Sequence, residues 1–361
     1  VVLKINNKIP SDYTNFSAAI VAWYHVNKRT LPWRQTKDAY AIWLSEIILQ
    51  QTRVAQGLPY YERFISDLPT INDFAKAPIS KILKLWQGLG YYTRARNMHL
   101  AAQQVVALGG NFPADYRALI KIKGIGPYTA AAIASFAFNL PHAVVDGNVF
   151  RVLSRYFGVY AATNSAQGIK QFNELAGLLL PINMADIYNQ AIMELGALVC
   201  KPQIPLCLDC PLQGTCFANT KNVTKQLPVK KAKALVKVRY FNFIMMHDAN
   251  SLYLQHQTGK DIWQNLYVLP LFETEVATAA SKVLTDVTIQ KIIRNKNVTV
   301  TINEKKWLHK LTHQHIVAQF INCSLAKLTQ HKKYISVNKD LLQEYAIPRL
   351  VEKYLMEQKW L

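Results

Sequence analysis

Cys200, Cys207, Cys210 and Cys216 lie within seventeen residues in the spacing C-x6-C-x2-C-x5-C. Four thiolates held this close can bind a metal ion or a cluster. Structural zinc sites usually pair their cysteines as two CxxC-like knuckles, and here only Cys207 and Cys210 form one. All-cysteine ligation of an iron–sulfur cluster suits a compact run of four. The spacing leans toward a cluster and leaves zinc open. Pro202, Pro205 and Pro211 interrupt the segment, so it reads as a loop that can wrap a metal centre.

Two carboxylates also stand in positions where they could do chemistry. Glu46 sits in WLSEIILQQ, inside an apolar helical run. A buried carboxyl has a raised pKa and can hold a proton near neutrality. Asp146 follows the apolar HAVV and opens GNVFRVLSR, where a helix N-terminus favours its anion. The pair reads as one acid and one anion. Each alone has a plainer reading: Asp146 as an N-cap, Glu46 as a buried partner for an arginine such as Arg34.

Between them, residues 119–130 read LIKIKGIGPYTA, a short helix, a turn around Lys123, Gly124 and Gly126, and a second helix. Glycines let the backbone turn tightly and leave N–H groups near a helix N-terminus, which attracts phosphate. The alternative is an ordinary turn between two helices.

The elements that must position these groups are mostly helical up to about residue 220. Ser11-Asp12 is expected to cap a first helix with Phe16, Ile20, Trp23 and Tyr24 on its apolar positions. A second helix is expected over 39–56, and others near 78–86, 93–108, 115–122, 127–138, 147–157, 165–180 and 184–199. Gly and Pro punctuate them. The stretch KNVTKQLPVKKAKALVK at 221–237 is polar and lysine-rich and reads as an interdomain linker, with KKAK as a solvated segment rather than a localisation signal.

From residue 238 the pattern turns β-like. YFNFIMM and SLYLQHQ flank a turn at 247–250 and predict a hairpin. Strands are expected over 297–303 and 314–323. Helical tracts are expected at 275–284 and 339–358, the latter restarting at Pro348. Residues 238–361 thus form a separate α+β domain.

Composition agrees with a polyanionic partner. The 361 residues carry 42 Lys and Arg against 22 Asp and Glu, a formal charge of +20, and half are hydrophobic. That balance points to nucleic acid rather than a membrane surface and argues against disorder. Five cysteines, four of them clustered, fit a reducing compartment better than a secreted disulfide framework. No apolar run reaches membrane-spanning length, and Val1 to Pro10 lacks a signal-peptide core.

Together, GIGPYTAAAI at 124–133, VDGNVFRVLSR at 145–155 and the cysteine loop resemble the iron–sulfur branch of the helix–hairpin–helix DNA glycosylase superfamily. LPWR at 31–34, SEIILQQT at 45–52, WQGLGYYTRARN at 86–97 and the C-terminal domain narrow the resemblance to the adenine DNA glycosylases of the MutY type, over about residues 12–358.

The resemblance implies a multidomain protein. Residues 1–220 would form a mainly α catalytic region: a six-helix barrel over about 30–140 and a cluster subdomain from about 1–29 and 141–220. Residues 238–361 would form a Nudix (MutT-like) lesion-recognition domain. It also implies a 4Fe–4S cluster on the four cysteines and double-stranded DNA with adenine opposite 8-oxoguanine as partner. A monomer in the bacterial cytoplasm, associated with the nucleoid and not with a membrane, is expected. Carried over residue by residue, Glu46 would protonate the departing adenine, chiefly at N7, and Asp146 would stabilise an oxocarbenium-like sugar. Tyr128 and Asn148 would support them, and Gln190 and Arg34 would stand at the adenine site. Gln51 and Tyr91 would wedge into the stack vacated by a flipped base, and Lys123, Gly124 and Gly126 would meet DNA.

Two departures qualify the C-terminal domain. After WQNLYVLPLFE, the segment TEVATAASKVL lacks the glutamate-rich helix of a Nudix hydrolase, so the domain should bind a base without hydrolysing a nucleotide. The family's lesion-reading Phe-Ser-His is here Leu311-Thr312-His313, which keeps a hydroxyl and the histidine. Three rival readings make different demands on the sequence. An endonuclease III-like lyase would carry lysine where this chain has Tyr128. A non-catalytic iron–sulfur DNA-binding protein would not need Glu46 and Asp146. A nucleotide hydrolase would need the missing carboxylates.

Overall fold

The computed structural model describes residues 12–232, 236–293, 298–302 and 305–361. Ser11 and the expected cap at Ser11-Asp12, like the segment Val1 to Pro10, lie outside the described side chains. The chain divides into two compact units, residues 1–75 with 100–232, and residues 76–99 with 233–361.

In chain order the helices are α1 (Asp12–Asn27), α2 (Ala39–Leu49), α3 (Val54–Asp67), α4 (Ile71–Lys76), α5 (Ile79–Leu85), α6 (Thr93–Ala107), α7 (Tyr116–Leu119), α8 (Pro127–Phe138), α9 (Gly147–Phe157), α10 (Ala166–Leu179), α11 (Ala185–Leu198) and α12 (Phe217–Thr220). In the first unit, α2 and α8 are buried along nearly their whole length and pack on each other. Their sequences are apolar all round, which is what a central helix requires. Asp38 caps α2 through the amides of Tyr40 and Ala41. A second core gathers Phe16, Ile20 and Tyr24 of α1 with Val152, Phe172, Tyr188 and Ile192 from α9, α10 and α11. Each such side chain contributes about 1.5–3 kcal/mol by its burial.

The expected helix over 39–56 is interrupted. It stops at Leu49, and a turn carrying Gln51 at φ 59° leads into α3. The reason is tertiary. α3 folds back over the end of α2, and a Cβ on Gly57 would stand 2.9 Å from Leu49 Cδ2 and 3.2 Å from Ile48 Cγ2, so glycine permits that approach. The lysine-rich segment at 221–237 is tied down in its first part. Val229 accepts from the Thr163 amide at 3.0 Å, and the Lys231 amide donates to Asn164 Oδ1 at 2.7 Å, so residues up to 232 belong to the first unit.

In the second unit the strands are β1 (Lys237–His247), β2 (Ser251–His256), β3 (Tyr267–Val268), β4 (Leu271–Thr274), β5 (Val298–Ile302), β6 (Trp307–Lys310), β7 (Gln314–Leu325) and β8 (Ile335–Asn338), with helices α13 (Ala280–Leu284), α14 (Val287–Ile293) and α15 (Arg349–Glu357). They form one mixed sheet in the order β3-β2-β1-β7-β5, with β4 on β1, β6 on β7 and β8 on β2. The expected hairpin is β1–β2. The long central pair is β1 with β7, parallel from Lys237↔Gln314 to His247↔Ser324. Register partners Phe243 and Phe320 stack, and Tyr354 of α15 stacks on Phe320 with centroids 3.9 Å apart. The tract expected as one helix over 339–358 is a 3-10 turn over Lys339–Glu344 followed by α15, with Pro348 as its N-cap.

Residues 76–99 group with this second unit. Lys84 Nζ donates to the Tyr345 carbonyl (3.2 Å), Gln87 Nε2 to Glu352 Oε1 (2.8 Å) and Arg96 Nη1 to the Gln264 carbonyl (2.9 Å).

Candidate active site and cysteine centre

The first unit holds a cavity of about 460 Å³, a size suited to a small ligand or a single nucleotide moiety. α2 lines it with Ile42, Ser45, Glu46 and Leu49, and α11 with Gln190, Met193, Glu194 and Ala197. Both sets have the spacing i, i+3, i+4, i+7, which puts each on one face of its helix. Asp146, Gly147 and Asn148 enter from the start of α9, Tyr128 from the start of α8, and Arg29, Trp33, Arg34 and Gln51 from the connecting segments.

Glu46 accepts a hydrogen bond from the Tyr128 hydroxyl, 2.6 Å from its Oε2. Burial pushes its carboxyl up to about 7; the Tyr128 bond and Arg34 oppose the rise, and Asp146 adds to it. Asp146 caps α9. Its Oδ1 accepts from the amides of Asn148 and Val149, both at 2.8 Å, and its Oδ2 from Asn148 Nδ2 at 2.7 Å. Burial raises this carboxyl too, but these three donors and Arg151 pull against it. The Asn148 amide is itself held, since Arg151 Nη2 donates to its Oδ1 at 2.8 Å and to the Gly196 carbonyl at 2.7 Å. α11 comes this close only because residue 196 is glycine: a Cβ there would lie 2.6 Å from Asn148 Cβ.

Sequence reasoning missed the cavity's second glutamate. Glu194 binds Arg29 Nε and Nη2 at 2.8 and 2.6 Å and Arg34 Nη2 at 2.8 Å. Burial raises its carboxyl, but the two guanidiniums more than reverse this and leave it at about 2. Arg34 is therefore paired with Glu194 and not with Glu46. The signal that could have found Glu194 is its setting, AIMELGAL, a lone carboxylate in an apolar helix much like that of Glu46. Tyr24 was read only as core. Its hydroxyl donates to Gln190 Oε1 at 2.7 Å.

The hairpin connects α7 and α8. Gly124 has φ 76°, a conformation glycine adopts without strain. Gly126 is the N-cap of α8, and a Cβ there would meet no heavy atom within 4 Å. Lys121, Lys123 and Gly124 are exposed, and the Lys123 amide donates to Gln104 Oε1.

All four clustered cysteines line one small pocket with Arg155. Among the described residues no group of three or more His, Cys, Asp or Glu is arranged to hold a single metal ion. The chemistry of the donors nonetheless fits a cationic centre. Burial raises the thiols of Cys207, Cys210 and Cys216, Cys210 to about 11, and the neighbouring cysteines raise them further. The amides of Leu212, Ala218 and Asn219 favour the thiolates, and Arg155 Nη1 lies 3.4 Å from Cys200 Sγ. Four neighbouring thiols raised in this way ionise together only with positive charge between them.

In the second unit, Tyr91 has φ 48°, and its hydroxyl meets Thr312 Oγ1 at 2.5 Å. Thr312 and His313 are exposed on a turn closed by the Leu311 amide donating to the Gln314 carbonyl, and Leu311 is half-buried. This unit thus brings Tyr91 together with the expected lesion-reading residues.

Two family models match the chain. Residues 44–176 match the family described as HhH-GPD superfamily base excision DNA repair protein, and residues 242–357 match the NUDIX domain. The chain is 34% identical to the adenine DNA glycosylase of Buchnera aphidicola subsp. Schizaphis graminum over 349 residues, covering 94% of this chain and 97% of that protein. It is 41% identical to the human adenine DNA glycosylase over 227 residues, 60% of this chain and 42% of that one. Among solved structures, a thermostable thymine-DNA glycosylase superposes with TM-score 0.54 at 31% identity, over 58% of this chain and 97% of that chain. A trapped endonuclease III–DNA covalent intermediate superposes with TM-score 0.52 at 20% identity, over 60% and 99%, which speaks to the fold alone.

Proposed function

Since the chain belongs to the adenine DNA glycosylases of the helix–hairpin–helix superfamily and acts in base excision repair, we propose that it removes adenine mispaired with 8-oxoguanine or guanine, using Glu46 as acid and Asp146 as anion. The observation that carries this is the pair of carboxyls in one cavity, Glu46 buried, raised to about 7 and hydrogen-bonded to Tyr128, Asp146 half-buried and gripped by three donors.

The adenine must leave the duplex to enter the cavity, since its glycosidic bond is otherwise shielded. Glu46 gives its proton to N7 of the base. The C1′–N9 bond breaks, and its electron pair goes to the neutralised adenine. The sugar becomes oxocarbenium-like and is stabilised by the Asp146 carboxylate. Water adds to C1′, and its proton returns to Glu46. Tyr128 and Asn148 hold the two carboxyls in place. Among the described residues lining the cavity there is no lysine, which supports a monofunctional glycosylase over a Schiff-base lyase. Gln51 at the cavity and Tyr91 in the second unit are the candidate wedges, and Lys123, Gly124 and Gly126 the candidate phosphate contacts. Leu311, Thr312 and His313 would read the base opposite.

Cys200, Cys207, Cys210 and Cys216 would hold a 4Fe–4S cluster, which supplies the positive charge the thiolates need and braces the loop. No helix among the described residues is long and apolar enough to cross a membrane. The proposed setting is that of a monomer working on DNA in the bacterial cytoplasm.

The test is single-turnover excision from duplexes carrying adenine opposite 8-oxoguanine, adenine opposite guanine, and thymine glycol. Release of adenine fastest from the first, without strand cleavage, is expected. Preferential action on thymine glycol with strand scission would overturn the reading in favour of a lyase.

A further inference from the structure

We propose that Tyr24 is a positioning residue that fixes the Gln190 amide with its Nε2 donor turned to the base, so that the site selects a purine with a free lone pair at N1. This rests on the adenine-excision reading above and adds to it a residue and a criterion of specificity.

Gln190 lines the cavity from the same face of α11 as Glu194. A glutamine in a base-binding site is ambiguous, since one end of its amide accepts and the other donates. Here one end is already committed. The Tyr24 hydroxyl donates to Oε1 at 2.7 Å. Tyr24 is 4% exposed and sits in the core formed with α9, α10 and α11, so its ring cannot swing away without cost. The phenol stands among charged neighbours. The guanidinium of Arg34 lies 5.8 Å from the centre of the Tyr24 ring and Lys28 Nζ 5.6 Å from it. Arg34 favours the phenol as donor, while burial, Glu194 and Asp186 oppose it, so the assignment rests on the short contact to Oε1 itself. Arg34 is in turn anchored on Glu194. The chain Glu194–Arg34–Tyr24–Gln190 therefore fixes the amide by contacts outside the base itself, leaving the Nε2 hydrogens as the free polar group.

A donor selects for an acceptor on the base. Adenine has three ring lone pairs besides N9. N7 is the atom Glu46 protonates, and N3 faces the sugar. N1, on the edge remote from the sugar, is the one left. Guanine and hypoxanthine carry a hydrogen on N1, which would oppose the Gln190 donor and leave both groups unpaired in a buried site. A buried mismatch of this kind discriminates more strongly than a missing contact.

The test uses the cluster-loaded full chain and single-turnover excision of adenine, 1-deazaadenine and hypoxanthine, each opposite 8-oxoguanine. 1-Deazaadenine replaces N1 with C–H, and the readout is the ratio of rates across variants, which cancels intrinsic differences in leaving ability. Tyr24→Phe keeps the ring and its arginine contact but frees the amide to turn. It should shrink the adenine to 1-deazaadenine ratio by roughly 2- to 5-fold, part of the value of one hydrogen bond, and raise hypoxanthine excision relative to adenine. Gln190→Leu should shrink the first ratio by the full roughly 5- to 10-fold of one hydrogen bond, and Tyr24→Phe should add nothing in that background. Thermal unfolding of each variant establishes that it is folded, and Gln190→Leu tests the N1 donor by itself should Tyr24→Phe not fold.

Equal slowing of all three substrates by Tyr24→Phe would mean a scaffold role and overturn the proposal. So would an unchanged ratio in Gln190→Leu. Normal adenine excision with unchanged ratios sinks this inference alone, whereas a wild-type protein that excises no adenine sinks the parent reading with it.

Discussion

Glu46 is a buried acid whose usefulness and cost have one origin. Burial raises its carboxyl from 4.5 to about 7, so near neutrality a large fraction is protonated, as the proposed acid role requires. Glu46→Gln and Asp146→Asn should each reduce single-turnover excision by at least ~100-fold while duplex binding survives. The wild-type rate should fall as pH rises through about 7, and Glu46→Gln should lack that limb; a pH–rate profile measured on both decides it. The same shift bears on stability. A carboxyl whose folded pKa is raised stabilises the fold fully below its unfolded value, here 4.5, and loses that contribution as pH climbs through about 7. Above pH 7 the buried anion costs up to roughly 3 kcal/mol. Glu46→Gln should therefore unfold at higher temperature than wild type at pH 8, with the gap closing by pH 4.5. A variant no more stable at pH 8 would show that the anion is better solvated than its surroundings imply.

At the scale of elements, the site depends on how closely α11 approaches the start of α9. Gly196→Ala would put a methyl 2.6 Å from Asn148 Cβ and 3.1 Å from its backbone. Asn148 holds Asp146, so its displacement should carry the anion with it. A misplacement on the order of 1 Å lowers rate by about 100-fold, and overpacking should cost about 1–3 kcal/mol. Excision and thermal unfolding should thus both suffer, although residue 196 touches no substrate. The cysteine loop is tied to the same helix. Arg151 Nε donates to the Cys200 carbonyl at 2.6 Å, and Arg155 Nη1 and Nη2 donate to the carbonyls of Lys201 and Pro202. Cys207→Ser should lose iron and absorption near ~400 nm, and with them the folded loop, because ligand loss at a site of this kind is a folding defect. Stoichiometric zinc without iron in the wild-type protein would assign the centre differently.

At the scale of the whole molecule, the grouping of residues 76–99 with 233–361 alters how the C-terminal domain should be tested. Removing the domain would strip Gln87 of Glu352 and Lys84 of the Tyr345 carbonyl, so a deletion would confound lesion reading with loss of packing. Point variants are cleaner. Tyr91→Phe and Thr312→Val each remove one end of the same hydroxyl pair. Each should lower the preference for 8-oxoguanine over guanine opposite adenine by roughly 3- to 10-fold, the scale of one hydrogen bond. The double variant should do no worse than either single one. Additive losses in a competition between the two duplexes would mean that the residues read the lesion independently.

Much of this protein was legible from its residues alone. Local periodicity placed α8, α9, α10 and α11 within a residue or two, because those helices carry their own caps, glycines and apolar faces. The cysteine spacing, Glu46, Asp146 and the glycine turn were visible for the same reason, being local chemistry in local contexts. What tertiary structure decided is which carboxylate does what. Glu46 in WLSEIIL and Glu194 in AIMELGAL are alike as text, yet one stands near 7 and the other near 2. The difference is made by Arg29 and Arg34, some 160 residues away in the chain from Glu194, and by the Tyr128 hydroxyl that meets Glu46 from 82 residues away. The parallel pairing of β1 with β7, the turn at Gln51 and the Tyr24–Gln190 bond were hidden likewise. An ionisable side chain takes its character from the charges and dipoles folded against it, and no local pattern records those.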